Sequence, residues 1–301
     1  MRGSCATPCM YERSLLSPQR GRPRGGESRF LVSLTDDRPP LAAVAIGDLD
    51  AADNVTWAVP GMGSSSAELP RWARSSNYLQ QAQEDADPTR EHAVVAWVGY
   101  KAPAVGSPEV FANDLARAGG ESLASALRRV DAARPDAQVN GVGYSYGTPT
   151  FAFALTQPDT HVDTWTSLGS AGLPASIGHA AELHADYVYA GQARDRLLLE
   201  PGQGDRWALL GRSIGTHPVN PANPFFGADV FGVDSGVNGL TAVTEHGSSN
   251  DSNTGYLDPG TESLWNVAHA TTGHPDMLTD GPDDDPTSAY RKYLEGRSPS
   301  E

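Results

Sequence analysis

Ser145 lies at the centre of Gly143-Tyr144-Ser145-Tyr146-Gly147, between the apolar run Gln138-Val139-Asn140-Gly141-Val142 and a second run, Thr148-Pro149-Thr150-Phe151-Ala152-Phe153-Ala154-Leu155. A serine hydroxyl is a weak nucleophile until a neighbouring base accepts its proton, and an imidazole base needs a carboxylate to fix its tautomer. A strand that turns sharply into a helix strains the residue at the apex. Glycines two before and two after remove side chains that would collide across such a turn. Pro149 suits the first helical turn, where its missing N–H costs nothing. The same pattern occurs again at Gly211-Arg212-Ser213-Ile214-Gly215. That copy follows a stretch that does not read as a buried strand and runs into Thr216-His217-Pro218-Val219-Asn220-Pro221, too proline-rich to continue as a helix. Ser145 is therefore the expected nucleophile.

The partners of Ser145 must come from loops at the carboxyl ends of strands, because only there can they meet over the turn. In sheets of this kind the order along the chain is serine, acid, histidine. Asp163 and Asp186 fall at strand beginnings, the wrong edge. Asp195 follows the strand expected over 185–190 and is the expected acid, with Asp205 and Glu200 left open. His92 and His161 flank strand starts, His179 and His184 precede the acid, and His269 is on a closing helix. His246 directly follows the strand expected over 239–245 and is the expected base, with His217 as the alternative. The loop Pro60-Gly61-Met62-Gly63-Ser64-Ser65, after the strand expected over 54–59, is placed to offer one backbone N–H to a developing oxyanion. Met62 (or Gly61) and Tyr146 are the expected donors. Phe225, Phe226 and Phe231 either wall an acyl pocket or pack in the core.

The elements needed to position these groups alternate along the chain. Strands are expected over 29–34, 41–46, 54–59, 92–98, from 138 into the serine pentapeptide, and over 162–168, 185–190 and 239–245. The run His92-Ala93-Val94-Val95-Ala96-Trp97-Val98 is apolar on both faces, as in the middle of a parallel sheet. Helices are expected over 69–84, over 108–133 with a break at Gly119-Gly120, from the elbow to near Pro158, and over 262–270. Only a short segment, 173–184, separates two of the strands, so no large cap domain is expected there. The region 197–238 reads as irregular and, at that length, as functional. The expected class is α/β: a mostly parallel, doubly wound sheet with helices on both faces. Residues 28–274 would form one domain, between a disordered tract over 1–27 and an acidic, flexible tail over 275–301.

Composition narrows the partners. The chain has 301 residues and a net charge of −15, with no basic stripe to neutralise phosphates, so nucleic acid is not expected. No apolar run approaches the length of a membrane span. Cys5 and Cys9 are the only cysteines, too few for a disulfide framework, and no zinc-ligand spacing appears, so neither metal nor cofactor is expected. The first 26 residues lack the apolar core of a secretory signal, which makes a cytoplasmic location the default and leaves secretion open. Oligomeric state is not legible.

Five stretches together resemble a known family: Val44-Ala45-Ile46-Gly47-Asp48, Val59-Pro60-Gly61-Met62-Gly63, Trp97-Val98-Gly99-Tyr100-Lys101-Ala102-Pro103, the Ser145 pentapeptide, and Tyr256-Leu257-Asp258-Pro259-Gly260-Thr261-Glu262-Ser263-Leu264. The chain resembles the actinobacterial alpha/beta hydrolases of unknown function (the DUF1023 type) from about residue 29 to 273. The resemblance implies the alpha/beta-hydrolase fold and a serine-hydrolase triad, carried onto Ser145, Asp195 and His246. The expected substrate is a small-molecule or lipid-like acyl ester, with acyl transfer and a catalytically silent binding module as the alternatives. Two departures stand out. Tyr144 precedes the serine where many hydrolases have histidine, and the loop after His246 is long.

Overall fold

The computed structural model describes residues 28–194 and 205–281. Eight strands form one sheet: β1 (Arg29–Leu34), β2 (Ala42–Ile46), β3 (Asn54–Val59), β4 (His92–Val98), β5 (Gln138–Tyr144), β6 (Val162–Leu168), β7 (Ala185–Gly191) and β8 (Asp229–Phe231). Their spatial order is β1-β2-β4-β3-β5-β6-β7-β8. The β1–β2 and β2–β4 pairs are antiparallel and all the others parallel. Every residue of β2, β3 and β4 is buried, which explains their unbroken apolar character.

Helices α1 (Leu69–Ala86), α2 (Asp114–Ala133), α3 (Gly147–Leu155), α4 (Arg206–Ile214) and α5 (Glu262–Thr271) complete the fold. On one face, Leu123 and Leu127 of α2 and Phe151 and Phe153 of α3 pack with Trp57, Val95 and Trp165 of the sheet. On the other, Leu69, Trp72 and Leu79 of α1 join Leu264 and Val267 of α5 over Val94, Val142 and Leu168. The doubly wound α/β architecture is therefore as expected, and it brings the carboxyl ends of β3, β5, β6 and β7 to one edge.

Four local expectations are corrected. The segment 239–245 is not a strand. Asn238 and Gly239 have φ of 56° and 79°, which interrupts extended backbone, and among the described residues the segment makes one isolated bridge, Thr241 to Thr261, and a backbone hydrogen bond from Val243 N–H to the Val233 carbonyl (2.8 Å). The last strand is β8, added in parallel to β7. No break occurs at Gly119-Gly120, and α2 runs through both. A Cβ on Gly120 would lie 2.6 Å from Cβ of Phe153, so the glycines serve the close α2–α3 packing. The irregular region contains α4, which takes up the second G-x-S-x-G copy, with Ser213 exposed. Beyond residue 274 the chain stays bound to the domain as far as the described residues go. Thr279 N–H donates to Asn266 Oδ1 (2.9 Å) and Gly232 N–H to the Thr279 carbonyl (3.1 Å). The expected tract over 1–27, with both cysteines, and the tail from 282 lie outside the described residues. No helix among the described residues is long and apolar enough to cross a membrane.

Candidate active site

Strand β5 ends at Tyr144 and α3 starts at Gly147, leaving two residues for the reversal. Ser145 is at its apex with φ of 55°, a left-handed conformation that costs a non-glycine residue about 1–3 kcal/mol and persists only where surroundings enforce it. The enforcement is visible. Ser145 N–H donates to the Leu168 carbonyl at the end of β6 (2.9 Å), and the Ser145 carbonyl accepts from Thr148 N–H (3.1 Å) and Ala171 N–H (3.3 Å). Two glycines have no room for a side chain. A Cβ on Gly147 would run into the Val59 and Pro60 carbonyls, and one on Gly61 would lie 2.6 Å from Cβ and 2.9 Å from Oγ of Ser145. The glycine-rich loop after β3 is thus seated directly against the serine hydroxyl.

His246 Nε2 lies 2.8 Å from Ser145 Oγ, and His246 Nδ1 lies 2.8 Å from Asp205 Oδ2. Asp205 is fully buried and caps α4, its Oδ1 accepting from Ala208 N–H (2.9 Å). Its Oδ2 also accepts from the Tyr256 hydroxyl (2.9 Å), whose oxygen in turn accepts from Ala193 N–H (2.9 Å). Burial pushes the Asp205 carboxyl up, but the His246 charge and the hydrogen bonds from His246, Ala208 and Tyr256 outweigh it and hold the group below the usual carboxylate range. Burial, reinforced by the Asp205 charge, keeps the Tyr256 phenol far above its ordinary value and so protonated, a donor to the carboxylate.

The imidazole is also held from one side. The Tyr144 ring stacks on His246 (centroids 5.4 Å apart, 27° between planes) and on Trp72 of α1 (6.1 Å, 25°). The tyrosine that replaces the familiar histidine before the serine is therefore a buried platform under His246. The long loop after His246 is stitched to itself. Tyr256 N–H donates to the Gly247 carbonyl and Leu257 N–H to the Ser248 carbonyl, both at 2.8 Å. Asp258 Oδ2 accepts from the N–H groups of Asn250 (2.9 Å) and Gly255 (2.8 Å). The Asn250 amide donates to Glu245 (2.7 Å) and Thr254 (3.0 Å).

The structure thus brings together Ser145 and His246 of the residues expected from sequence. Asp195 and Glu200 lie outside the described residues, and the carboxylate on His246 is that of Asp205. Asp205 is one of the two alternatives that the sequence left open, and an aspartate directly ahead of a helical stretch is also a capping signal. His217 does not face Ser145. It is buried against the edge of Tyr146 (5.8 Å, 86°), with Nε2 3.4 Å from the Ala112 carbonyl. The Tyr146 hydroxyl donates to the same carbonyl (2.6 Å), which anchors the residue following the serine. Met62 is partly buried against the core, and neither the Met62 nor the Tyr146 N–H has a hydrogen-bond partner among the described residues. The three phenylalanines do not form one wall. Phe225 is 63% exposed, while Phe226 and Phe231 are buried in the cores on opposite faces of the sheet. Tyr256 was legible only as part of a resemblance motif, with no role attached.

The profile of a family described as alpha/beta hydrolase matches residues 36–202. Two uncharacterized proteins of Mycobacterium tuberculosis, MT2140 of strain CDC 1551 and Rv2079 of strain H37Rv, are each 31% identical to the chain over 259 residues. The match takes in 79% of this chain and 38% of each relative, so the chain spans well under half the length of the curated relatives it matches. Among solved structures, carboxyl esterase 2 of the mycorrhizal fungus Tuber melanosporum is similar with a TM-score of 0.47 and 11% identity, over 92% of this chain and 100% of that one. A hyperthermophilic esterase from the archaeon Pyrobaculum calidifontis has a TM-score of 0.46 and 13% identity, over 82% of this chain and 85% of that one. At such scores they add nothing to what the profile and the sheet order establish. On the strength of that match, running through the glycine-rich loop and the serine elbow, the chain belongs to the alpha/beta hydrolase family.

Proposed function

We propose that the protein is a serine hydrolase that cleaves carboxylic esters through an acyl-enzyme. The observation that carries this reading is the pair of 2.8 Å hydrogen bonds joining Ser145, His246 and Asp205, three residues far apart in the chain. In the first half-reaction, Ser145 Oγ attacks the ester carbonyl as His246 Nε2 accepts its proton. The carbonyl oxygen becomes an oxyanion, to which the N–H groups of Met62 and Tyr146 are assigned as donors. Such donors contribute about 3–4 kcal/mol each where they have been removed. Collapse of the tetrahedral adduct breaks the bond to the alcohol oxygen, and His246 returns its proton to the departing alcohol. Water then attacks the acyl-serine, giving one proton to His246, and the acid leaves as Ser145 regains its hydrogen. Asp205 takes the role expected of Asp195. It holds Nδ1–H so that Nε2 faces the serine, and it steadies the imidazolium that forms.

Labelling with a fluorophosphonate probe tests the reading. Wild type should be labelled and should release nitrophenol from short-chain nitrophenyl esters, and Ser145→Ala should abolish both. A wild type that is neither labelled nor active would make the domain a binding module without turnover. Product esters appearing on addition of alcohol would assign acyl transfer instead of hydrolysis.

A further inference from the structure

The second pentapeptide, Gly211-Arg212-Ser213-Ile214-Gly215, closes α4, the helix whose first turn is capped by Asp205. It lies against the loop that follows β6. A Cβ on Gly211 would lie 2.8 Å from the Ala171 carbonyl oxygen, so the helix backbone rests directly on that loop. Arg212 Nη1 donates to the Ser170 carbonyl (2.8 Å) and to Gln192 Oε1 (3.2 Å), which ties α4 to the loops after β6 and β7 together. Gln192 directly precedes Ala193, whose N–H meets the Tyr256 hydroxyl behind the Asp205 carboxylate. Ser213 is exposed.

The same short loop touches both residues that His246 joins. Ala171 N–H donates to the Ser145 carbonyl (3.3 Å). Gly169, with φ of 49°, comes so close to the acid that a Cβ there would lie 3.0 Å from Asp205 Oδ2 and 2.9 Å from Cε2 of the Tyr256 ring. Helix α4 is therefore seated on this loop twice, at its cap and again at Gly211 and Arg212, two turns and about 10 Å further along. The double seat matters because an imidazole is rigid. Its nitrogens stand a fixed distance apart, so the two 2.8 Å bonds coexist only where serine and carboxylate keep one spacing. A catalytic arrangement tolerates about 0.5 Å of error in such a spacing.

We infer that Gly211 and Arg212 are positioning residues: they clamp α4 to the loop after β6 and so set the spacing between Ser145 and Asp205 that His246 bridges. The inference rests on the serine-hydrolase reading and gives the second pentapeptide a part in it, as a helix clamp two turns away from the acid that the helix carries.

Two readouts separate positioning from folding alone: kcat and KM for a short-chain nitrophenyl ester, and the low-field proton NMR resonance of His246 Nδ1–H, identified by its loss in Asp205→Asn. Arg212→Gln and Gly211→Ala should each lower kcat about 10²-fold, the effect of a misplacement of about 1 Å, with KM kept within about twofold. Both should also move or broaden the resonance. Arg212→Lys keeps the charge and a donor for the Ser170 carbonyl but not the fork, and should recover kcat to within about tenfold of wild type. Ser213→Ala, in the same pentapeptide, should match wild type in both readouts. If Gly211→Ala does not fold, the two Arg212 variants decide. Wild-type kcat with an unmoved resonance in Arg212→Gln overturns the clamp, whatever the loss of stability, and leaves the nucleophile standing. A wild type that neither hydrolyses esters nor takes up a fluorophosphonate overturns the hydrolase reading instead. The resonance then judges the clamp by itself, which stands if Arg212→Gln moves it and falls if it does not.

Discussion

Replacing Tyr256 with phenylalanine removes a single oxygen that serves two partners. The hydroxyl donates to Asp205 Oδ2 and accepts from Ala193 N–H, each at 2.9 Å, in a place with no access to solvent. A hydrogen bond to a charged acceptor contributes about 1.5–3 kcal/mol net, and a buried N–H left without a partner costs about 1–3 kcal/mol. Tyr256→Phe should therefore lose about 3–5 kcal/mol of stability at neutral pH, since the phenyl ring fills the site without replacing either bond. Asp205 keeps two donors, His246 and Ala208. Tyr256 ranks last among the influences that hold its carboxyl down, so the carboxyl should remain below its ordinary value without it. The sign follows from linkage. A carboxylate held below its ordinary value contributes stability above the unfolded-state pKa, about 3.9, and loses it as pH falls through the folded-state value. Without the tyrosine donor that folded-state value moves up. The variant should unfold at slightly higher pH on acidification, while the Ala193 part of the loss stays constant with pH. Urea unfolding from pH 7 downward, with steady-state hydrolysis at each pH, reads both parts. A variant within about 0.5 kcal/mol of wild type at pH 7 would refute the reasoning, because it would mean that neither hydrogen bond is formed.

Three further perturbations discriminate within the site. Asp205→Asn should lower kcat for ester hydrolysis by about 10⁴-fold, as loss of the tautomer-fixing acid does in a triad, whereas Asp195→Asn should leave it within about twofold; the reverse pattern would return the acid to Asp195. Gly61→Ala places a methyl 2.6 Å from Cβ of Ser145, and should cost about 1–3 kcal/mol of stability and most of the fluorophosphonate labelling rate, read by denaturation and by labelling kinetics. Asp258→Asn replaces a buried acceptor of two backbone N–H groups in the His246 loop, and should cost about 1–3 kcal/mol of stability and reduce kcat about tenfold or more. Unchanged kcat would show that the loop is held without Asp258.

The parts of this site that sequence made legible are those whose chemistry is local. The elbow announces itself because glycines must stand two residues either side of Ser145, and the close contact of the next loop requires Gly61. His246 followed from an order rule, although the strand expected to deliver it does not exist. The carboxylate on His246 was legible only as an alternative, because it does not stand in the turn after β7 but on the cap of α4, within a long region, 197–238, whose many glycines and prolines mask that short helix. The aromatic wall failed for a different reason. Whether Phe225, Phe226 and Phe231 share a pocket depends on which face of the sheet each reaches, and spacing in an irregular segment carries no such information. Tyr256 reaches Asp205 across 51 residues, a contact that no local pattern encodes.

Delivering an imidazole from a loop instead of a strand end changes what must hold it. A strand fixes its last residue through ladder hydrogen bonds, whereas an ordered loop loses about 1–2 kcal/mol of backbone entropy per residue and needs its own compensation. Here that compensation comes from residues within the loop, chiefly Asn250 and Asp258, and from outside it through Arg71 on the Ser249 carbonyl. The Tyr144 ring supplies the remaining restraint by closing off one side of His246. Histidine at position 144 would be a smaller platform and would leave a gap between Trp72 and the His246 ring. The two departures from the usual hydrolase pattern are therefore one adaptation: a long, self-bonded loop brings His246 over the serine, and the tyrosine before the serine gives it a surface to rest on.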